Sequence, residues 1–504
     1  MSKSGSDDES AMIRSQDNQP LLSSSTCAAP SGAPFFCSAR YNLALLSCFG
    51  ISVAYALRVN LSVALVAMVN DTESIPKVTN SAFLCPMGSD PSRPLPGHGK
   101  GHHYRWNSKE QGLLLGAFFY GYIITQVPGG YLAGRVGSKL PMGLGIGLTA
   151  LLSLVTPIAA SFGLPCIFAV RFLQGLGEGV TFPSMHAMWS HWAPPFERSR
   201  LMTISYVGTN LGTVVSLPLS GILAEYWGWP SIFYVFGCIG LVWMVLWFIF
   251  AWETPEQHPS ISIREQDYIA DCIGDIAPPG WGQGANIPWI SIFTSLRLWA
   301  IIVAHFCYNW TFYTLLTMLP TYMDSVLHFN IKQNGLLSAL PYLLGWLMTV
   351  TGGQLADLTI ERNILSVTNT RKVFTALGMV LPAVFLVAVT FGGCDHVLAV
   401  TFLALSNGIG GLCGSGFSIN HLDIAPGYAG LLLGITNTFA TIPGFIGPAL
   451  ARYLTPNNLL QEWRTVFCIA AGIDVFGALF FSIFGSGKVQ SWAVDEDAPR
   501  PHVH

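Results

Sequence analysis

A chain of 504 residues that is 51% hydrophobic and only 10% charged is not a set of soluble domains, in which about 25% of residues carry charge. The composition predicts an all-α membrane protein that crosses the bilayer many times. A net charge of −3 with no basic block gives no reason to expect nucleic acid as a partner.

Residues 1–40 are rich in Ser, Asp, Gln and Pro, with few large apolar side chains, as in a disordered cytosolic tail. Within it Asp17, Leu21 and Leu22 form the acidic dileucine string Asp-Asn-Gln-Pro-Leu-Leu that cytosolic clathrin adaptors read in sorting. The tail lacks the basic-then-apolar pattern of a signal peptide, so the first span is expected to act as the signal. Most of the 11 cysteines lie in apolar spans, with Cys85 alone in the one long loop and Cys27 and Cys37 near the N-terminus. Neither a disulfide framework nor a zinc site is expected. Cys37, just before the first span, is a position for palmitoylation, although a plain thiol is the simpler reading.

Apolar stretches follow at roughly 41–69, 110–133, 140–160, 164–189, 201–224 and 230–252. Six more lie at roughly 296–323, 333–357, 373–392, 395–420, 428–450 and 465–485. The expectation is twelve transmembrane helices in two six-helix bundles, 41–252 and 296–486, joined by a linker at 253–295 and ending in a tail at 487–504. The linker holds Pro255, Pro259 and a run, Ile263 to Ile269, that reads as a short surface helix. Arg135 and Lys139, Arg198 and Arg200, and Arg362, Arg371 and Lys372 fall on the side shared by both termini and the linker, which makes that side cytosolic. The loop at 70–109 then faces the lumen, and Asn70-Asp71-Thr72 at its start is a glycosylation sequon. Similar triplets at Asn60 and Asn309 fall inside spans and should stay unmodified.

Several polar side chains lie where a bilayer makes them costly. Arg58 sits well inside the first span, where its planar fork suits a carboxylate, either a bound anion's or that of Glu178. In the fourth span Arg171, Gln174 and Glu178 recur at i, i+3 and i+7 on one face, with Gly175, Gly177 and Gly179 interleaved for close helix approach. A buried Arg–Glu pair that only aids packing is one reading, and a titratable patch in a transport pathway is the preferred one. The second span supplies Tyr120 within Phe-Phe-Tyr-Gly-Tyr, and the seventh supplies His305, Tyr308 and Tyr313 within a polar, aromatic run. Rings and hydroxyls of this kind can wall a sugar pocket. His305 and His186 can titrate between acidic and neutral pH, although each taken singly reads as a satisfied buried imidazole. Ser415 and Asn420 close the tenth span as candidate substrate contacts, or as a cap and turn together with Asp423 and Pro426. No phosphate-cradling lysine loop or nucleophile–base pattern is present, so neither an enzyme nor a cofactor is expected, and an ion gradient is the simplest driving force.

Two Gly-rich strings, Gly129-Gly130-Tyr-Leu132-Ala133 and Gly352-Gly353-Gln-Leu355-Ala356, end the second span of each half. They resemble the cytosolic motif of major facilitator transporters, with Gly134 replacing the usual Asp in the first copy and Asp357 present in the second. Halves repeated in this way form a site between them near the midplane. The strings SARYNLALL, ALRVNLSVALV, FFYGYIITQVPGGY, GLGEGVTFPSMHAMWSHWAPPFERS, YNWTFYTLL and GFSINHLDIAPGYAGLLLGITNTFATIPG resemble the anion–cation symporter family of that superfamily. This family holds lysosomal sialic acid transporters together with vesicular glutamate and phosphate transporters, and the resemblance runs from about Cys37 to Trp492. It implies a major facilitator fold and proton-coupled export of sialic acid and acidic hexuronates from the lysosome. For the family it further suggests vesicular loading of acidic amino acids and anion transport at the plasma membrane, and a vesicular acidic amino acid or nitrate carrier would share every span. By resemblance Arg58 is the substrate-carboxylate arginine, Arg171 and Glu178 are a charged pair, and Tyr120, Tyr308 and Tyr313 wall the pocket. A carboxylate facing a partly dry cavity can titrate, so Glu178 is expected to couple protons, alone or with His305. The family's sialic acid transporters carry a second carboxylate one turn before Glu178, where this chain has Gln174, as the vesicular glutamate transporters do. Coupling then needs only Glu178, or this member's selectivity or coupling differs. A pH-gated anion channel or a non-transporting sensor is the alternative of a different class.

Overall fold

The structure is a computed structural model and describes residues 38–69, 103–274, 287–393, 395–425 and 428–493. The first half comprises α1 (Ala39–Met68), α2 (Ser108–Val136), α3 (Lys139–Ser161), α4 (Leu164–Glu178), α5 (Thr181–Trp192), α6 (Pro195–Trp227) and α7 (Pro230–Phe250). Two short helices follow, α8 (Ile263–Gly274) and α9 (Trp289–Thr294). The second half holds α10 (Leu296–Ser325), α11 (Ile331–Glu361), α12 (Val367–Val389), α13 (His396–Ile409), α14 (Asn420–Ile424), α15 (Ala429–Leu454) and α16 (Leu460–Phe484). Among the described residues ten helices are long and apolar enough to cross a bilayer. The polar α10, 30 residues long, and the α4–α5 pair complete twelve crossings, as expected.

Polar caps start many of these helices. Ser38 caps α1, Asn330 caps α11, Ser366 caps α12 and Asp395 caps α13, while Asn107 and Glu110 form a reciprocal capping box on α2. The first turn of α1 receives a second cap from far along the chain. The carboxylate of Glu265, on α8, accepts from the backbone N–H groups of Ala39 and Arg40, both at 3.1 Å, and from Arg40 Nη1 at 2.9 Å. Arg40 Nε in turn donates to Glu197 on α6 at 2.7 Å. The linker helix is therefore pinned to the bundle through one buried carboxylate at a helix N-terminus, where negative charge is favoured.

Two spans are interrupted where the sequence reads as continuous. The stretch expected at 164–189 is α4 and α5 with a break at Gly179 and Val180. Pro183 stands in the first turn of α5 and has no N–H to give the Gly179 carbonyl, so the regular ladder cannot run through. The stretch expected at 395–420 is helical only to Ile409, tightens into a 3₁₀ turn over Gly410–Ser415 and passes through turns to α14. Gly410, Gly411, Gly414 and Gly416 make that segment a poor helix.

The halves meet along two seams, α6 against α11 and α2 against α15, with α1 and α10 facing each other between them. At the end of the bundle where the 70–109 loop leaves, Gly221 of α6 lies on the backbone of Ile331 and Gly335 of α11. Along the second seam Gly112 and Gly116 of α2 lie on Pro448 and Phe445 of α15. Nearer the middle Gln126 bridges to α15, donating to Thr441 Oγ1 at 2.7 Å and accepting from Asn437 Nδ2 at 2.9 Å.

Candidate functional site

The site grows from a backbone-to-backbone contact. Gly121 of α2 and Gly175 of α4 each face the other helix's main chain so closely that a Cβ at either would collide with a carbonyl oxygen. This approach brings α2 and α4 together, and Arg58 of α1 reaches Phe118 and Tyr122 of α2 and Glu178, the last residue of α4.

Arg58 Nε donates to Glu178 Oε1 at 2.9 Å, and Arg58 Nη2 forms an ion pair with the same oxygen. Both residues are buried, Glu178 completely. Arg58 Nη1 and Glu178 Oε2 have no hydrogen-bond partner. The guanidinium is boxed by rings, with its carbon 4.5 Å from the Tyr55 centroid, 4.6 Å from Tyr122 and 5.0 Å from Phe118. These contacts favour the cation by roughly 0.5–2 kcal/mol each.

Arg171 does not pair with Glu178, which corrects the expectation of a charged pair within the fourth span. Two residues seven apart on a helix are separated by about 10.5 Å along its axis, too far for this contact, whereas α1 crosses at the level of Glu178. Arg171 instead donates to the Arg58 carbonyl at 2.9 Å, to the Leu57 carbonyl at 3.2 Å and to Gln174 Oε1 at 2.9 Å. Its Nε is unpartnered. Two guanidinium groups and one carboxylate leave this buried cluster with one net positive charge.

The remaining candidates separate into groups. Tyr313 of α10 reaches across the seam, its ring 4.7 Å from Phe119, and is buried close to Arg58. Tyr308 packs its ring on Phe312 and Phe417 in the second half. Tyr120 lies outside the ring box around Arg58, its ring tilted against that of Phe445 with centroids 4.6 Å apart. Two positions from Tyr122, and two from Phe118, it is turned about 200° round the helix. His305 lies 3.4 Å from Thr436 Oγ1, which His421 Nε2 also meets at 2.9 Å; neither imidazole hydrogen-bonds to Glu178. Ser415 and Asn420 lie together around a different ion pair, Arg371–Asp423. The Ser415 carbonyl accepts from Arg371 at 3.0 Å, and Asn420 Nδ2 donates to Asp423 and to the Ser486 carbonyl, both at 3.0 Å. Asn420 is thus used as a fastener of the chain turn. Asp17, Leu21, Leu22 and Asn70 lie outside the described residues. Tyr55 and Tyr122, which sequence reading did not single out, were signalled by helical spacing: Tyr55 stands three residues before Arg58, and Tyr122 four after Phe118.

A cavity lies against this cluster, lined by Arg58, Val59, Ser62, Phe118 and Arg171 from the first half and by Thr317 from the second, among others. At about 10 Å³ it has room for a water and not for a sugar acid. Admission of a larger anion requires the halves to part.

The sequence profile of the Major Facilitator Superfamily matches residues 47–448, and the chain belongs to that superfamily of membrane transporters. Within it the chain is similar to sialin: it is 56% identical over 481 residues to sialin of Ovis aries, covering 95% of each chain, and 53% identical over 488 residues to sialin of Homo sapiens, covering 97% of each. It is 39% identical to vesicular glutamate transporter 3 of Danio rerio, over 96% of this chain and 79% of that one. Among solved structures the fold is shared with a bacterial homolog to human lysosomal transporter Spinster in an inward-facing conformation. There the TM-score is 0.65 at 12% identity, over 88% of this chain and 96% of that one. A D-xylose-proton symporter matches with a TM-score of 0.58 at 14% identity, over 88% and 99%.

Proposed function

We propose that this multi-pass membrane protein is a proton-coupled symporter that exports sialic acid and acidic hexuronates from the lysosome by alternating access. The observation that carries the reading is the uncompensated positive charge of the Arg58–Arg171–Glu178 cluster beside a cavity between the halves, with donors on Arg58 and Arg171 left unfilled. Those unfilled donors suit the carboxylate of a bound anion, which can take the place of Glu178 on Arg58. Similarity to sialin supplies the substrate class.

In this reading Glu178 and the substrate carboxylate compete for Arg58. A proton from the acidic lumen neutralises Glu178, frees Arg58 and lets the substrate anion take the guanidinium. The halves then close at the lumenal end, along the Gly221–Gly335 and Gly112–Pro448 contacts, and part on the cytosolic side. At cytosolic pH Glu178 loses its proton and reclaims Arg58, expelling the anion. The Arg58–Glu178 pair is the contact that this last step re-forms. A difference of about two pH units is worth roughly 2.7 kcal/mol per proton, enough for on the order of a hundredfold anion gradient. Counting the Glu178 proton alone, one proton with one monovalent anion moves no net charge against the membrane potential.

The two halves are taken as 41–252 and 296–486, with 253–295 and both termini in the cytosol and Asn70 glycosylated in the lumen. Asp17, Leu21 and Leu22 direct the protein to lysosomes through clathrin adaptors. Gln174 favours a second activity, loading of vesicles with acidic amino acids, since its neutral side chain matches the vesicular glutamate transporters. The deciding experiment is counterflow of labelled sialic acid in proteoliposomes at two lumenal pH values, with glutamate and nitrate as competitors. Saturable, pH-stimulated counterflow supports the symporter, while conductance without counterflow supports a channel.

A further inference from the structure

The second half contains a buried acid that this cycle does not use. Asp474 lies in the middle of α16 and is 2% exposed. Its Oδ2 lies 2.7 Å from Thr311 Oγ1 on α10, and its Oδ1 has no hydrogen-bond partner. Among the described residues no Lys, Arg or His nitrogen forms an ion pair with it. One turn further, Gly477 presses on Cys307 of α10 and Met379 of α12, so solvent is excluded on that side too.

The groups around Asp474 that can titrate are few. Cys307 and Tyr308 come from α10 and Cys413 from the 3₁₀ turn. Helix α12 carries Arg371 and Lys372 only near its start, where Arg371 is held by Asp423. On α15 the ionisable side chains, Arg452 and Tyr453, stand at its far end, and on α16 Glu462, Arg464 and Cys468 lie in its first half. A lone carboxylate in this setting costs several kcal/mol more than the neutral acid. Buried side-chain oxygens normally have at least one hydrogen-bond partner, and Asp474 Oδ1 has none.

The position also matters. Thr311 lies on α10 between Tyr308 and Tyr313, so Asp474 grips the helix whose other residues face the Arg58 cluster across the seam. We propose that Asp474 is a second proton-binding site of the transporter, loaded in the state described and exchanged with water as α10 shifts against α16 during the cycle. The inference rests on the symporter reading. Proton occupancy at Asp474 sets how firmly α10 is held through Thr311, and hence when the second half can move.

The test is pH-gradient-driven accumulation of sialic acid in proteoliposomes by the wild type, Asp474→Asn and Asp474→Glu. The amide keeps a neutral partner for Thr311 but cannot exchange a proton. Asp474→Asn is expected to retain counterflow while its accumulation ratio at two pH units falls at least about tenfold, and Asp474→Glu to recover most of it. Because a buried substitution can impair folding, Thr311→Val gives a second readout. It removes the one hydrogen bond and should move the midpoint of the counterflow pH profile by about half a unit or more. A wild type that does not accumulate sialic acid overturns the symporter reading and this inference together. A wild type that does, beside an Asp474→Asn that accumulates equally or a Thr311→Val profile that is unmoved, overturns this inference alone.

Discussion

Gln174 Oε1 accepts a 2.9 Å hydrogen bond from Arg171 Nη1, so a neutral amide occupies the place where a second carboxylate would cancel the remaining charge of the cluster. Replacing it as Gln174→Glu preserves the contact and adds a charge that competes with the substrate. Transport should survive with an altered pH dependence, the apparent affinity for sialic acid falling at neutral pH and recovering in acid as the new carboxyl is protonated. Counterflow measured across pH checks this; a profile superimposable on the wild type counts against the charge argument.

Arg58→Lys keeps a cation but loses the fork that holds Glu178 and, in the proposed cycle, the substrate carboxylate. The protein should fold and traffic, with transport reduced by about tenfold or more, equivalent to ~1.4 kcal/mol. Counterflow KM at matched abundance is the readout. An unchanged KM places the carboxylate elsewhere.

Removing Glu265 with Glu265→Ala strips two backbone N–H groups and the buried Arg40 of a partner at once. Loss of one member of a buried ion pair costs roughly 3–5 kcal/mol. Lower thermostability of the detergent-solubilised protein is expected, with KM for substrate unchanged in what remains folded. A wild-type melting temperature would show that the linker helix does not secure the bundle.

The fold was legible in the sequence because a bilayer enforces simple arithmetic: spans must be long, apolar and alternating in loop charge. The site was legible only in part. Arg58, Arg171 and Glu178 announce themselves as charges in apolar helices, but which arginine reaches Glu178 depends on where α1 crosses α4, a tertiary fact with no local signal. The break after Glu178 was signalled by Pro183, and the unwinding of the tenth span by four glycines. The mismatch between Tyr120 and Tyr122 is one of helical phase, which counting by 100° per residue settles. Asp474 is a lone charge in an apolar stretch like Arg58, and it becomes informative only once its missing partner is visible.

Leu21 and Leu22 bear on location. Changing both to Ala should move the protein from lysosomes towards the cell surface, seen by surface biotinylation, and permit uptake by whole cells in an acidic bath. Unaltered lysosomal residence of the double variant would remove the sorting role.

The central claim is that Glu178 carries the proton and trades Arg58 with the substrate. Its most direct test is pH-gradient-driven uptake of sialic acid into proteoliposomes by Glu178→Gln, with protein abundance matched to the wild type. The amide cannot titrate, so accumulation driven by the proton gradient should vanish. Glu178→Gln that accumulates sialic acid with the wild-type response to pH contradicts the account.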